Sequence, residues 1–353
     1  MNILLLDLGS AMRGGQRQVF YLARRLGADP EFNPVLAAPA GSPLVASARS
    51  EGIKTHPLPS RWDWDPRNLS SLFGMVKKER IHLVHTHDAR SASLGAAVKC
   101  LCAGVGLLHT RRVSYPLRNG WGRKKYRLAD KIAAVSQEIA DVLTDCGIDP
   151  AKIVVIHSGI DASRYEAGTR TQAREEIVFG LIGALSPQKG HAVFLSALAL
   201  LRQEAGALSW KALIIGEGPL EAELQARTKE LGLSDLVEFT GYRESREALL
   251  DLDVLAVPSV DGEGSNAVIK EGWAARIPVV ASDLASNLEL VEPEVSGLVF
   301  PNRDAAALKD ALSRLARDVS LRQKIIQGGA ERVGLFTEEI TAEAYMRLYR
   351  TFS

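Results

Sequence analysis

Short apolar runs alternate with longer stretches of helical periodicity along the whole chain. In the first half the runs are ILLLDL (3–8), PVLAA (34–38), IKTHPL (53–58), IHLVHT (81–86), GLLHTR (106–111), KIAAVS (131–136) and KIVVIH (152–157). In the second half they are IVFGLIG (177–183), KALIIG (211–216), LVEFTG (236–241), VLAVPS (254–259), PVVAS (278–282) and GLVF (297–300). Amphipathic segments such as GQRQVFYLARRL (15–26) and SQEIADVLTDCG (136–147) lie between most of them. Near-continuous apolar strands separated by helices predict parallel sheets covered on both faces. One polar stretch, IDASRYEAGTRTQAREE (160–176), carries no apolar period and predicts a domain boundary, dividing the chain into 1–165 and 166–336. Each half then holds about six strands, enough for one doubly wound unit. The last segment, 337–352, reads as a helix. Two such domains predict a cleft, with ligands at the carboxyl ends of the strands. The loops that directly follow strands are therefore where chemistry is expected.

Composition narrows the function classes. The 353 residues suffice for two domains with large cores, and 46% of them are hydrophobic, as in ordinary globular chains. The formal charge of +1 gives no electrostatic reason to expect nucleic acid as a partner. Cys100, Cys102 and Cys146 form no CxxC pair or Cys/His cluster of zinc spacing, and read as reduced core thiols of a cytosolic protein. The opening run MNILLLDLGS has no preceding basic region and is interrupted by Asp7, so it reads as a first strand, not a leader or a membrane span. The expectation is a soluble protein that can still touch a membrane surface.

In the first half, the loop GSAMRGG (9–15) follows the first strand and opens a helix. Gly14 and Gly15 let backbone approach a ligand closely, and a helix start favours an anion. The loop is neither a G-x-G-x-x-G fingerprint nor a P-loop, and a ligand-free turn explains it equally well. In HTHDAR (85–90), His85 and His87 fall on the same side of an extended chain. With Asp88 they suggest a metal, but no further ligand stands at a recognisable spacing, so no metal is expected. His87, at a strand end, suits a hydrogen bond to substrate, and Asp88 suits a helix cap. The segment RRVSYPLRNGWGRKKYR (111–127) holds seven Lys/Arg and no acid. Its Arg111, Arg112, Arg118, Arg123, Lys124 and Lys125, interleaved with Trp121, read as a surface for anionic lipid or a phosphorylated acceptor, or as a solvated helix face. Trp62 and Trp64 read as a second exposed aromatic spot or as core.

In the second half, GALSPQKG (183–190) is another strand-to-helix loop, running from Gly183 through Lys189. A lysine at a helix start is mildly unfavourable, which points to a role such as contact with a diphosphate. Glu217 sits between two glycines in GEGP (216–219). In EGSNAVIKE (263–271), Ser265 or Asn266 is placed to cap a helix, Glu263 lies in the loop, and Glu271 lies about 7–8 Å along the helix. Two readings follow. One is a capped surface helix with a solvated Glu271. In the other, the helix start holds a diphosphate, Glu271 takes ribose hydroxyls and Glu263 reaches a sugar, since ionised acceptors make the stronger hydrogen bonds to hydroxyls.

EGSNAVIKEGWAARIPVVAS resembles the E-x7-E signature of the retaining glycosyltransferases of family 4, which have the GT-B fold. GALSPQKGH, IIGEGP and VEFTGY are similar to that family's successive motifs in order, as are GGQRQVFYLARRL, HTHDARSASLGA and ADKIAAVSQEI, so the likeness spans nearly the whole chain. The resemblance implies two Rossmann-like domains facing across a cleft. Residues 1–165 would bind acceptor, 166–336 would bind the nucleotide-sugar, and the helix 337–353 would cross back to the first domain. It further implies transfer from a UDP- or GDP-sugar, with retention and no metal or other cofactor, to a glycan or lipid-linked acceptor. Such an enzyme would serve cell-surface polysaccharide or lipopolysaccharide synthesis at the cytoplasmic membrane face. Carried over by motif, Glu271 would hold the ribose, and Glu263 with the backbone of Gly264, Ser265 and Asn266 the donor sugar. Lys189 would neutralise the diphosphate, Gly15 would line the phosphate loop, and His87 would touch the sugar near the reaction centre. One departure is Ala184, where the family commonly has arginine; Arg13, Arg111 and Arg112 are substitutes to consider. The competing functions are an epimerase or hydrolase on the same fold and a catalytically silent nucleotide-sugar binder.

Overall fold

The computed structural model describes residues 1–165, 176–204 and 208–352. All thirteen apolar runs form strands: β1 Asn2–Leu6, β2 Asn33–Pro39, β3 Thr55–Leu58, β4 Leu83–Thr86, β5 Gly106–Arg111, β6 Lys131–Ala134, β7 Ile153–Val155, β8 Ile177–Ile182, β9 Trp210–Ile215, β10 Val237–Gly241, β11 Val254–Val257, β12 Val279–Ser282 and β13 Leu298–Phe300. They build two sheets, ordered β3-β2-β1-β4-β5-β6-β7 and β10-β9-β8-β11-β12-β13. Pairing is parallel throughout; for example Leu4 pairs with Val35 on one side and Val84 on the other. Both orders are doubly wound, and they reverse between β1 and β4 and between β8 and β11. Crevices at such reversals are where ligands bind in open α/β sheets.

The chain divides into two compact units, Met1–Gly159 with Thr337–Ser353, and Ile160–Phe336. The division falls at the start of the polar segment instead of after residue 165. Ile160 and Tyr165 are buried with Trp273 and Phe336 in the second unit's core, which fixes residues 160–165 there. Residues 166–175 of that segment lie outside the described residues.

In the first unit the β1 side chains alternate between two cores. Leu4, Leu6 and Leu8 pack on one face, and Ile3 and Leu5 on the other. Two-sided burial is why the strand reads as an unbroken apolar run. The helix Glu338–Arg350 belongs to the second of these faces, where Tyr345 and Tyr349 are buried with Ile3, Leu5 and Leu22. Its start is capped by Thr337, and the buried Glu338 carboxylate accepts from Arg24 Nη2 (2.6 Å) and Arg25 Nε (2.9 Å) of the helix Gly14–Ala28. Of the three cysteines, Cys102 and Cys146 are buried, but Cys100 is exposed at the outer side of its helix, contrary to the core placement expected for all three. No helix among the described residues is long and apolar enough to cross a membrane.

Candidate functional site

In the second unit, the loops after β8, β9 and β11 are pressed together at glycines. A Cβ on Gly216 would lie 2.0 Å from Gly183 O, one on Gly218 2.4 Å from Leu185 O, and one on Gly190 1.8 Å from Pro258 O. Gly190 also has φ +69°, a conformation that side chains rarely adopt. This packing brings together residues 74 positions apart: Lys189 Nζ donates to Glu263 Oε1 at 2.6 Å. Ser259 Oγ donates to the same oxygen at 2.6 Å. The ammonium keeps 27% of its side-chain surface and the carboxylate 11%, so the pair is sheltered yet reachable.

The helix Ala267–Ala274 begins beside this pair and carries a half-buried Glu271 in its second turn. The expected side-chain cap is not formed. Asn266 stands at the N-cap without a cap bond, its Nδ2 buried and unbonded, while Ser265 Oγ accepts from Lys270 Nζ at 2.6 Å. The first amides of the helix are therefore not covered by a side chain. Lys270, fully buried, was not singled out from the sequence; a lysine inside the apolar helical stretch AVIK was the available signal. His191 was missed as well. Burial, and then the Lys189 charge, push its imidazole down to about 4, so it is neutral at physiological pH. Gly183 and Gly264 lie in the packed loops, while Glu217 and Ala184 are exposed.

The first unit gathers a second group at the reversal between β1 and β4. His85 is saturated: Nδ1 lies 2.7 Å from Tyr349 Oη and Nε2 lies 2.7 Å from Thr110 Oγ1. Both ring nitrogens of His85 are thus engaged within the fold. His87, only 3% exposed, stacks on His85 with ring centroids 3.9 Å apart, and neither of its nitrogens is bonded. Burial, reinforced by the Arg112 charge, holds its pKa well below the usual range, so the ring is neutral. Asp88 is spent as a cap, accepting from Leu8 N (2.6 Å), Arg90 N (2.7 Å) and Ser91 N (3.0 Å). Asp7, fully buried, accepts from Gly9 N at 2.7 Å and Gln16 Nε2 at 3.0 Å. Burial first, and then the neighbouring Asp88, raise its pKa to about 6. The helix that starts at Gly14 and Gly15 has no side-chain cap and no acid in its first turn. Beside it opens a cavity of about 430 Å³ lined by Gly9, Arg13, Gln16, Asp88 and Arg90 among others.

The basic segment does not form one outward surface. Arg111 is buried and donates to Tyr115 O and, at 3.4 Å, to Tyr126 Oη. Lys125 is buried and donates to Ala89 O and, at 3.2 Å, to Ser93 Oγ. Arg112 turns inward, its Nη1 donating to Ser158 Oγ at 3.0 Å. Arg111 and Lys125 belong to the interior and Arg112 is half-buried, because strand β5 ends among them and the helix Trp121–Arg127 packs against the same core. Arg118 and Lys124 are exposed, and Arg123 is half-buried. Trp62 and Trp64 are surface residues, 60% and 70% exposed, not core. Trp64 stacks on the half-buried Trp121 at 5.7 Å.

The family profile described as Glycosyltransferase Family 4 matches residues 12–164, and that described as Glycosyl transferases group 1 matches residues 176–318. The chain belongs to glycosyltransferase family 4. This family 4 transferase is 26% identical to the D-inositol 3-phosphate glycosyltransferase of Actinosynnema mirum, over 99% of this chain and 91% of that protein. It is also 26% identical to the UDP-Gal:alpha-D-GlcNAc-diphosphoundecaprenol alpha-1,3-galactosyltransferase of Escherichia coli, over 75% of this chain and 76% of that one. Solved structures share the transferase's GT-B fold. A glycosyltransferase from Rickettsia africae superposes with TM-score 0.87 at 19% identity, covering 99% of this chain and 98% of that one. Anabaena HepE in complex with UDP superposes with TM-score 0.84 at 18% identity, covering 99% and 100%.

Proposed function

We propose that this transferase moves a sugar from a nucleoside-diphosphate sugar to a glycan or lipid-linked acceptor, with retention of configuration and without a bound metal. The observation that carries the reading is the Lys189–Glu263–Ser259 cluster beside the uncapped helix start that leads to Glu271. A diphosphate at that helix start meets the Lys189 ammonium and helix amides that no side chain caps. Drawn to it, Lys189 releases Glu263, whose carboxylate then accepts from hydroxyls of the donor sugar, while Glu271 accepts from the ribose. Lys189 and the helix start stabilise the charge that grows on the leaving diphosphate, an electrostatic role that needs no metal at this site. In the first unit the neutral His87 offers one donor and one acceptor to a sugar hydroxyl, and the cavity lined by Arg13, Gln16 and Arg90 is the acceptor's place. The names of similar proteins support this choice of substrates, since one uses UDP-Gal with a diphosphoundecaprenol-linked acceptor and another is solved with UDP.

Calorimetric titration with UDP, GDP and ADP, with and without magnesium, tests the donor side. One nucleotide is expected to bind independently of magnesium, and Glu271→Ala is expected to weaken it roughly tenfold or more, the loss of charge-assisted hydrogen bonds. Equal binding by Glu271→Ala, or strict magnesium dependence, contradicts the assignment. Product analysis separates transfer from epimerisation or hydrolysis: free sugar or an isomer formed without acceptor counts against transfer.

The exposed Trp62, Trp64 and Tyr115, with the exposed Arg118 and Lys124, support peripheral contact with an anionic membrane at the cytoplasmic face, in polysaccharide or lipopolysaccharide synthesis. Co-sedimentation with phosphatidylglycerol vesicles is expected to fall when Trp62 and Trp64 are both changed to Ala; unchanged binding removes the membrane part.

A further inference from the structure

Behind Glu263 the second unit buries a line of three polar side chains, Ser259, Ser282 and Asn287, each at most 1% exposed. Asn287 Nδ2 donates to Ser282 O at 3.1 Å and to Ser282 Oγ at 3.2 Å. Ser282 Oγ donates to Ser259 O at 2.5 Å, and Ser259 Oγ donates to Glu263 Oε1 at 2.6 Å. Chemistry fixes the direction of each bond. A carbonyl and a carboxylate only accept, so both hydroxyls donate forward, and the Asn287 amide must turn its NH2 towards Ser282. That orientation leaves Asn287 Oδ1 buried without a hydrogen-bond partner. An unpaired buried acceptor opposes folding, which marks the line as more than core filling.

The backbone beside Ser259 is held as firmly as its carbonyl. Val260 N donates to Gln188 O at 2.8 Å, and Val260 O accepts from Asn302 Nδ2 at 3.1 Å. Residues after β8, at the end of β12 and after β13 therefore converge on residues 259–260. Glu263 is placed differently. It lies in the loop that follows, and among the described residues its carboxylate takes two donors, Lys189 Nζ and Ser259 Oγ, both on Oε1. Lys189 is the one that a diphosphate draws away. Once it turns, the Ser259 hydroxyl is the hydrogen bond that remains to aim the carboxylate.

We propose that Ser259 is a positioning residue for Glu263, kept in place by Ser282 and Asn287, and that it acts on the binding of the donor's sugar and not of its nucleotide. This role rests on the reading above, in which Glu263 accepts from the sugar's hydroxyls. A hydrogen bond to an ionised acceptor is short and directional, so one hydroxyl on a fixed backbone holds the angle of the carboxylate. Oε2 accepts from no described residue and is the oxygen left for the sugar.

The full chain, its Ser259→Ala, Ser282→Ala and Glu263→Ala variants, and the double variant Ser259→Ala with Glu263→Ala are titrated with UDP-glucose, UDP-galactose, GDP-mannose, UDP and GDP. Ser259→Ala is expected to bind the nucleotide-sugar that the native chain takes about tenfold more weakly, and the matching nucleoside diphosphate with native affinity. Ser282→Ala is expected to show a smaller loss of the same kind, and carries the comparison if Ser259→Ala does not fold. In the double variant, removal of the Ser259 hydroxyl is expected to add nothing to the loss in Glu263→Ala, since it acts through that carboxylate. Unchanged affinity of Ser259→Ala for the nucleotide-sugar overturns the proposal. So do equal losses for nucleotide-sugar and nucleotide, the behaviour of a merely structural hydroxyl, and so does a full further loss in the double variant. If Glu263→Ala loses the nucleotide-sugar and Ser259→Ala does not, the positioning role alone falls. If Glu263→Ala binds like the native chain, or the native chain binds none of these probes, the reading beneath it falls as well.

Discussion

Replacing Asp7 by Asn should make the protein more stable at neutral pH and leave it nearly unchanged in acid. Asp7 is fully buried, and burial followed by the nearby Asp88 lifts its pKa from 3.8 to about 6, against the opposing pull of Gln16, Gly9 and Arg112. The folded chain thus keeps this proton to about pH 6, while the unfolded chain releases it near 3.8. Between those values the folded state binds more protons, so the group's contribution is fully present below about pH 4, is lost as pH rises to about 6, and is level above. A shift of about two units corresponds to roughly 3 kcal/mol at 1.36 kcal/mol per unit. Asn keeps the acceptor for Gly9 N, and Gln16 can present its own carbonyl to the new amide, at a cost of about 1 kcal/mol or less. Urea unfolding of the native chain and Asp7→Asn at pH 4.5, 6.0 and 7.5 measures the difference, because groups that do not interact with Asp7 titrate alike in both and cancel. The variant's advantage should grow by about 2–3 kcal/mol from the lowest to the highest pH. A difference that is the same at all three values, or a variant less stable at pH 7.5, refutes the account.

Two further outcomes test the second unit. Gly190→Ala places a methyl 1.8 Å from Pro258 O at φ +69°, so the loop that carries Lys189 must move; a loss of at least about 2 kcal/mol and of nucleotide binding is expected, and a native melting temperature would show that the loops are not locked as described. Ala184→Arg adds a cation at an exposed position next to Gly183, so stability should stay within about 0.5 kcal/mol while nucleoside-diphosphate affinity rises roughly tenfold; unchanged affinity would place the loop 183–190 away from the diphosphate.

The strands were legible because parallel strands buried on both faces leave contiguous apolar runs, and every run quoted from the sequence is a strand. The loops after β1, β4, β8 and β11 were legible as candidate sites for the same reason: once the runs alternate with helices, the loops at the carboxyl ends follow. Less could be read of the individual side chains. In HTHD the two histidines are equivalent by spacing, yet Tyr349 and Thr110 occupy His85 and nothing occupies His87. Both of His85's partners come from distant parts of the chain. Likewise Ser265 and Asn266 each have the chemistry of a cap, and the buried Lys270 claims one of them.

The sequence by itself determined the doubly wound architecture, the order of its motifs and the carboxylates, lysine and histidine available for chemistry, because these depend on local periodicity and residue type. Tertiary structure decided which charges are spent and which are free. Arg111, the last residue of β5, meets Tyr126 and is consumed, while Arg112, just beyond the strand, meets Gly15 and Ser158 and keeps an unbonded nitrogen. The basic segment 111–127 therefore splits into buried and exposed halves that its composition could not distinguish. The Lys189–Glu263 pair needs glycine contacts between loops of three strands, a meeting across 74 residues that packing alone brings about.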